Sequence, residues 1–106
     1  MDLYGKCLIC GLPNEKFLIT SHIKPWRFST DRERQDPNNC FLLCPHHDAL
    51  FDKGYISFCN SGNIIISDKL DKRTKVLLNV NSDILVNLNE GNQKYLEWHR
   101  QYQFLK

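Results

Sequence analysis

The sequence has no long apolar run, no internal repeat and no low-complexity tract. Its uninterrupted apolar stretches, such as Ile64-Ile65-Ile66, are only a few residues long, against the roughly 20 that span a bilayer. No transmembrane helix is therefore encoded. With 5 Gly and 4 Pro in 106 residues, there is no Gly/Ser-rich or Pro-rich stretch to serve as an interdomain linker, and a single domain covering 1–106 is expected. The opening Met1-Asp2-Leu3-Tyr4-Gly5-Lys6 lacks the charged and then apolar regions of a signal peptide, so a cytoplasmic protein with no membrane partner is expected. Charge of one sign is also scarce: 14 Lys+Arg stand against 12 Asp+Glu, a net +2. That balance does not mark a polyanion binder, which more clearly shows a pI above about 9 or one basic face. Cysteine is present in an odd number, 5, which fits a closed disulfide framework poorly and makes metal binding the better first reading.

The unusual chemistry lies in the first half. Lys16–Ile23 has the β-branched and aromatic content of a strand that Pro25 should end, which sets His22 at a strand end. Trp26–Asn38 is polar and reads as a long loop holding one helical turn, and a loop of that length in a small domain suggests function. Trp26 is read there as a core residue, with a base-stacking platform as the alternative. Cys40-Phe41-Leu42-Leu43 is a short strand, and Pro45 stands at the first position of a helix carrying His46 to Lys53 and stopping at Gly54. Tyr55–Phe58 and Asn63–Ser67 flank a hairpin turn, and Asn92–Phe104 has Tyr95, Trp98, His99 and Tyr102 at helical spacing. Residues 68–90 carry no clear pattern.

Cys7-x-x-Cys10 is a compact chelating pair, and Cys44-Pro45-His46-His47 offers a second pair with the same gap. Two such knuckles tie an N-terminal loop to a later helix around a tetrahedral zinc, with Cys7, Cys10, Cys44 and His47 as structural ligands. The bland alternative is buried thiols and a surface histidine. His46 is the other candidate ligand, with a shorter and more strained gap to Cys44. Cys40 and Cys59 lie in apolar runs without a near partner and are read as core. On the helix, Asp48 and Asp52 are four apart and project from one face. Helical carboxylates so spaced are more often solvated, but a helix start fixed by zinc would hold this face rigid, as a second metal site requires.

Taken together, Cys7-x-x-Cys10-Gly11, Ser21-His22-Ile23-x-Pro25-Trp26 and Asn39-x-x-Leu42-Leu43-Cys44-Pro45-x-His47-Asp48-x-x-Phe51-Asp52-x-Gly54 resemble the HNH endonuclease family. The resemblance covers residues 7–58 and is nearest to the HNH domains of bacterial restriction-type enzymes. It implies an α+β fold: the ββα-metal (His-Me finger) core with a structural zinc knot, to which this chain adds a β-hairpin and a C-terminal helix in 59–106. It also implies metal-dependent hydrolysis of DNA phosphodiesters, in restriction or phage defence. Carried over by position, His22 becomes the general base, Asn39 the middle residue of the motif, which holds the two strands together and fixes the imidazole tautomer, and Asp48, with Asp52, the ligand of the catalytic ion. Asp48 stands where the family commonly has histidine, which favours Mg²⁺ or Mn²⁺. Ser21 stands where many relatives have a metal-binding Asp or His. It speaks for the alternative, a non-catalytic zinc module that binds nucleic acid. DNA contacts are expected from Lys24, Arg27, Arg32, Arg34 and Lys53. Specific base readout buries roughly 1,000 Å² or more of protein surface, so target choice is expected in other domains of a larger enzyme or in a second subunit. Double-strand cleavage requires a homodimer or sequential nicks.

Overall fold

The structure, a computed structural model, describes residues 5–106. Met1–Tyr4, the start of the segment read as lacking a signal peptide, lies outside the described residues. The chain forms an α+β arrangement built around two small antiparallel sheets. Strand β1 (Ile19–His22) pairs with β2 (Cys40–Leu43), with His22 opposite Cys40, and β3 (Ile56–Phe58) pairs with β4 (Ile64–Ile66). Among the described residues four short α-helices stand between and after them: α1 (Asp31–Gln35), α2 (Pro45–Asp52), α3 (Lys72–Leu77) and α4 (Gln93–Trp98). Among the described residues no helix is long and apolar enough to cross a membrane.

The strand expected over 16–23 is shorter than its composition suggests. Asn14 accepts a hydrogen bond from the Lys16 amide and turns Glu15–Phe17 into a 3₁₀ turn, leaving Phe17 exposed. A local side-chain cap outcompetes ladder pairing there because no partner strand extends that far. The loop between β1 and β2 is more ordered than its polarity implied. It contains 3₁₀ turns at Trp26–Phe28 and Pro37–Asn39 with α1 between them, and α1 begins with a capping box in which Thr30 and Glu33 satisfy each other's backbone amides. Helix α2 begins at Pro45, whose missing N–H has no intrahelical partner to lose, and ends at Asp52 before Gly54, whose φ of 82° suits glycine.

α2 packs against β1, β2 and β3. Its buried Leu50 and Phe51 enter the core with Phe41, Leu43, Ile56 and Phe58, and the rings of Phe41, Phe51 and Phe58 lie 5.6–6.1 Å apart. The C-terminal segment closes the other side. The C-terminal helix expected over 92–104 is present: a 3₁₀ turn (Glu90–Asn92) leads into α4, and His99–Gln103 continues it as a π-helical turn. Tyr95, Leu96 and His99 are buried, whereas Tyr102 of the same expected face is 65% exposed. The buried His99 ring stacks on Phe51 at 4.0 Å, accepts a hydrogen bond from the Ser57 hydroxyl and donates one to the Phe51 carbonyl. Burial pushes its pKa down to about 4.

Candidate active site

Two of the four cluster residues come from a tight loop before β1 and two from the start of α2. The Cys7–Leu12 loop closes on itself through bonds from the Gly11 amide to the Cys7 carbonyl and from the Cys7 amide to the Leu12 carbonyl, with Gly11 at φ 77°. Cys44 is the residue before α2, and His47 lies in its first turn. The ligand atoms of Cys7, Cys10, Cys44 and His47 all lie within 4.8 Å of one another, and only Cys10 is exposed. Cys10 Sγ and Cys44 Sγ are 3.8 Å apart, and His47 Nδ1 is 3.3 Å from Cys44 Sγ and 3.8 Å from Cys7 Sγ.

Tetrahedral zinc with Zn–S of about 2.3 Å and Zn–N of about 2.0 Å sets S–S edges of about 3.8 Å and S–N edges of about 3.5 Å, so the donor set fits that ion. His47 Nε2 donates to the Leu78 carbonyl at 2.9 Å. The proton is thereby fixed on Nε2 and the Nδ1 lone pair is turned toward the sulfurs, the usual support for a metal-bound imidazole. Between the two candidate histidines, His47 joins the cluster and His46 is exposed at the surface. The supporting carbonyl follows α3, which gives the patternless 68–90 segment a place in the site. Burial raises the Cys7 thiol, but the His47 ring and the backbone amides of Cys10, Cys44 and Ile9 outweigh it and lower its pKa to about 6. Cys10 is pushed up to about 11 by burial and by the two neighbouring sulfurs. Thiolates so close together need a cation to coexist.

At the end of the β1–β2 ladder away from Cys44, His22 ends β1 half-buried, and its Nε2 lies 3.3 Å from the Arg34 carbonyl in α1. A carbonyl only accepts, so Nε2 carries the proton and Nδ1 keeps its lone pair. Asn39 is fully buried. Its Oδ1 accepts from the Lys24 amide at 2.8 Å, and its Nδ2 donates to the carbonyls of Lys24 and Glu33 and to the Ser29 hydroxyl at 3.2–3.4 Å. None of these four bonds goes to His22. Asn39 instead fastens the loop to β2, and the Glu33 carbonyl it holds precedes the Arg34 carbonyl that orients the imidazole. The loop is also pinned from outside by the Tyr95 hydroxyl, which donates to Asp36 at 2.6 Å, and by the Asn92 amide, which donates to the Asn38 carbonyl. The Tyr95 hydroxyl and the Asn38 amide hold the Asp36 carboxyl below its ordinary range.

Asp48 is half-buried in the first turn of α2, and Asp52 is exposed at its end. Among the described residues, His22, Asp48 and Asp52 do not form a cluster of three donors; only the Cys/His set does. Ser21 is buried. Of the expected DNA contacts, Lys24 pairs with Glu33 at 3.0 Å and Arg34 donates to the Trp26 carbonyl and to Asp31, while Arg27, Arg32 and Lys53 are exposed. Three expectations of burial are corrected. Trp26 is 59% exposed, with the Arg34 guanidinium 3.6 Å from its ring centroid, because the turn after Pro25 carries it away from the core. Cys40 is only half-buried because it opens β2 opposite His22, at the edge of the sheet. Cys59 sits in the hairpin turn after β3, with its sulfur 2.9 Å from the Ser61 hydroxyl. The supports that composition did not reveal are mostly backbone carbonyls, at Arg34 and Leu78. Only the Thr30-x-x-Glu33 box carried a readable signal.

No curated protein matches the chain. A family model described as HNH endonuclease matches residues 7–59, which takes in both halves of the Cys/His cluster, β1, β2, α2 and β3. The match spans half the chain and contains every residue of the two arrangements described above except the C-terminal supports, and the protein belongs to the HNH endonuclease family.

Proposed function

We propose that the chain is a metal-dependent DNA endonuclease domain in which His22 is the general base. The observation that carries this reading is the orientation of His22: Nε2–H donates to the Arg34 carbonyl, which leaves the Nδ1 lone pair to accept a proton from an attacking water. Asn39 is a positioning residue that acts through the loop carrying that carbonyl. Asp48 and Asp52 would hold a Mg²⁺ or Mn²⁺ ion, with water and substrate phosphate completing its shell. Such an ion supplies Lewis acidity to the phosphate and to the leaving 3′ oxygen. The Cys7, Cys10, Cys44 and His47 cluster takes structural zinc and holds the start of α2 against the N-terminal loop. Arg27, Arg32 and Lys53 supply phosphate contacts, with Lys24 and Arg34 spending part of their charge within the loop. The domain serves a larger restriction or phage-defence enzyme in the cytoplasm, as one unit over 1–106 with its core at 7–58, and it cuts both strands as a homodimer or by successive nicks.

The buried Ser21 and the missing third donor near His22 favour a second reading, a zinc-braced module that binds nucleic acid without cutting it. Supercoiled plasmid incubated with Mg²⁺ or Mn²⁺ separates the two. Nicking by the wild type and not by zinc-loaded His22→Ala is the expected result, and equal activity in both proteins rules out His22 as the base.

A further inference from the structure

Three aromatic side chains, Phe28, Trp98 and Tyr102, stand together where the β1–β2 loop meets the C-terminal segment, and Trp26 shares the 3₁₀ turn that carries Phe28. Trp26, Phe28 and Tyr102 are 59%, 52% and 65% exposed. The Phe28 and Trp98 rings are 5.6 Å apart and those of Trp98 and Tyr102 are 5.3 Å apart, so they form a ladder from the loop onto the C-terminal segment. A cation lies over a ring at three points: Arg34 at 3.6 Å from the Trp26 centroid, Arg27 at 4.8 Å from Phe28 and Lys24 at 5.9 Å from Trp98. Packing alone does not account for this, since more than half of each of three large rings faces water, at a cost in apolar exposure. The turn that carries Trp26 and Phe28 is also tied to the candidate base, because the residue whose guanidinium covers Trp26 is the one whose carbonyl orients His22.

We propose that Trp26, Phe28 and Tyr102 form a stacking face for unpaired bases beside the phosphate presented to His22, so that the substrate is a nucleic acid with a single-stranded segment next to the cleavage point. This rests on the nuclease reading for the position of the phosphate. The occupant follows from chemistry. Aromatic faces interleaved with cations match a strand that alternates base planes and phosphates. A paired base inside a duplex has both faces covered by its neighbours, so only an unpaired or extruded base can reach these rings.

The test is fluorescence anisotropy with a labelled single strand and with its duplex, using the zinc-loaded full chain without added Mg²⁺. The wild type is expected to bind the single strand more tightly. Trp26→Ala and Tyr102→Ala, each with unchanged zinc content and thermal midpoint, are expected to weaken single-strand binding at least about fivefold and to leave duplex binding in place, with Trp26→Phe restoring most of the loss. Variants that bind both forms as the wild type does, or a wild type that binds neither, overturn the proposal. So does a change in oligomeric state without a change in nucleic-acid affinity, which would assign the face to a second protein chain. His22→Ala keeps the two readings apart. Loss of nicking with aromatic-independent binding overturns the stacking face alone, whereas aromatic-dependent binding without His22-dependent nicking supports the face and removes the nuclease.

Discussion

The two ends of the β1–β2–α2 unit are built in opposite ways. The Cys/His cluster is closed: four donors converge within 4.8 Å, three of them buried, and the histidine is locked by the Leu78 carbonyl. The His22 region is open: the imidazole is oriented from one side only, and the two carboxylates of α2 do not combine with it into a three-donor cluster among the described residues. A structural ion needs a complete shell supplied by protein, whereas a catalytic ion needs positions left for water and substrate. On the proposed reading one helix serves both needs: its first turn supplies His47 to the closed cluster, and it carries the half-buried Asp48 and the exposed Asp52.

The largest effect should come from breaking the closed end. Cys44→Ser removes a donor at the start of α2, and because apparent zinc affinity in small structural sites is about 10–16 kcal/mol, loss of bound zinc is expected together with loss of a cooperative thermal transition. Elemental analysis and calorimetry check both. At the open end, His22→Ala should lower cleavage roughly 10²- to 10⁴-fold while zinc content and thermal midpoint stay near wild type. A large fall in stability would move His22 from chemistry to structure.

Asn39→Ala probes the link between the ends. It strands the Lys24 amide, whereas the Lys24 carbonyl keeps the Ser29 hydroxyl and the Glu33 carbonyl keeps the Asp36 amide, so urea denaturation should show a loss of roughly 1–3 kcal/mol for the one group left unsatisfied. Cleavage should fall about 10- to 100-fold, as for other positioning contacts.

The pH dependence distinguishes the C-terminal half from the Cys/His cluster and from the acidic pair of α2. His99 is depressed from about 6.5 to about 4, so between those values the unfolded chain binds a proton that the folded chain does not. Stability is therefore full above about pH 6.5 and falls as pH drops toward 4, by up to about 3 kcal/mol at 1.36 kcal/mol per unit. Urea midpoints at pH 7 and pH 5 should differ less in His99→Gln than in the wild type; an unchanged difference would assign the acid sensitivity to the zinc ligands. The smallest expected effect is Thr30→Ala, which breaks the capping box of α1 and should lower stability by about 1 kcal/mol without changing zinc content, as read by thermal denaturation.

Much of the site was readable because its residues are bound to local signals. Cys7-x-x-Cys10 and Cys44-x-x-His47 are chelates by spacing alone, Pro45 and Gly54 bracket α2, and Pro25 sets the end of β1. The choice between His46 and His47 was less readable, because it turns on which ring meets a carbonyl 31 residues away. Trp26 was read as core because an indole is mostly apolar, yet its place on a short 3₁₀ turn against Arg34 put it in water. Asn39 was expected to hold the strands together and to fix the imidazole tautomer; its bonds join the start of β2 to the backbone after β1 and to the loop, and none of them goes to His22.

By itself, the sequence determined the donor types, their pairing into two knuckles, the ββα order and the helix that carries Asp48 and Asp52. Spacing along a chain dictates which side chains share a turn or a face, so these features needed no distant information. Only the tertiary structure decided how the two knuckles close into one cluster, which carbonyls lock His47 and His22, and that the C-terminal segment both pins the β1–β2 loop and extends its aromatic face. Those contacts join backbone and side-chain groups far apart in sequence. Backbone carbonyls are the same at every position, so the residue types do not announce them; packing selects which carbonyl each imidazole meets.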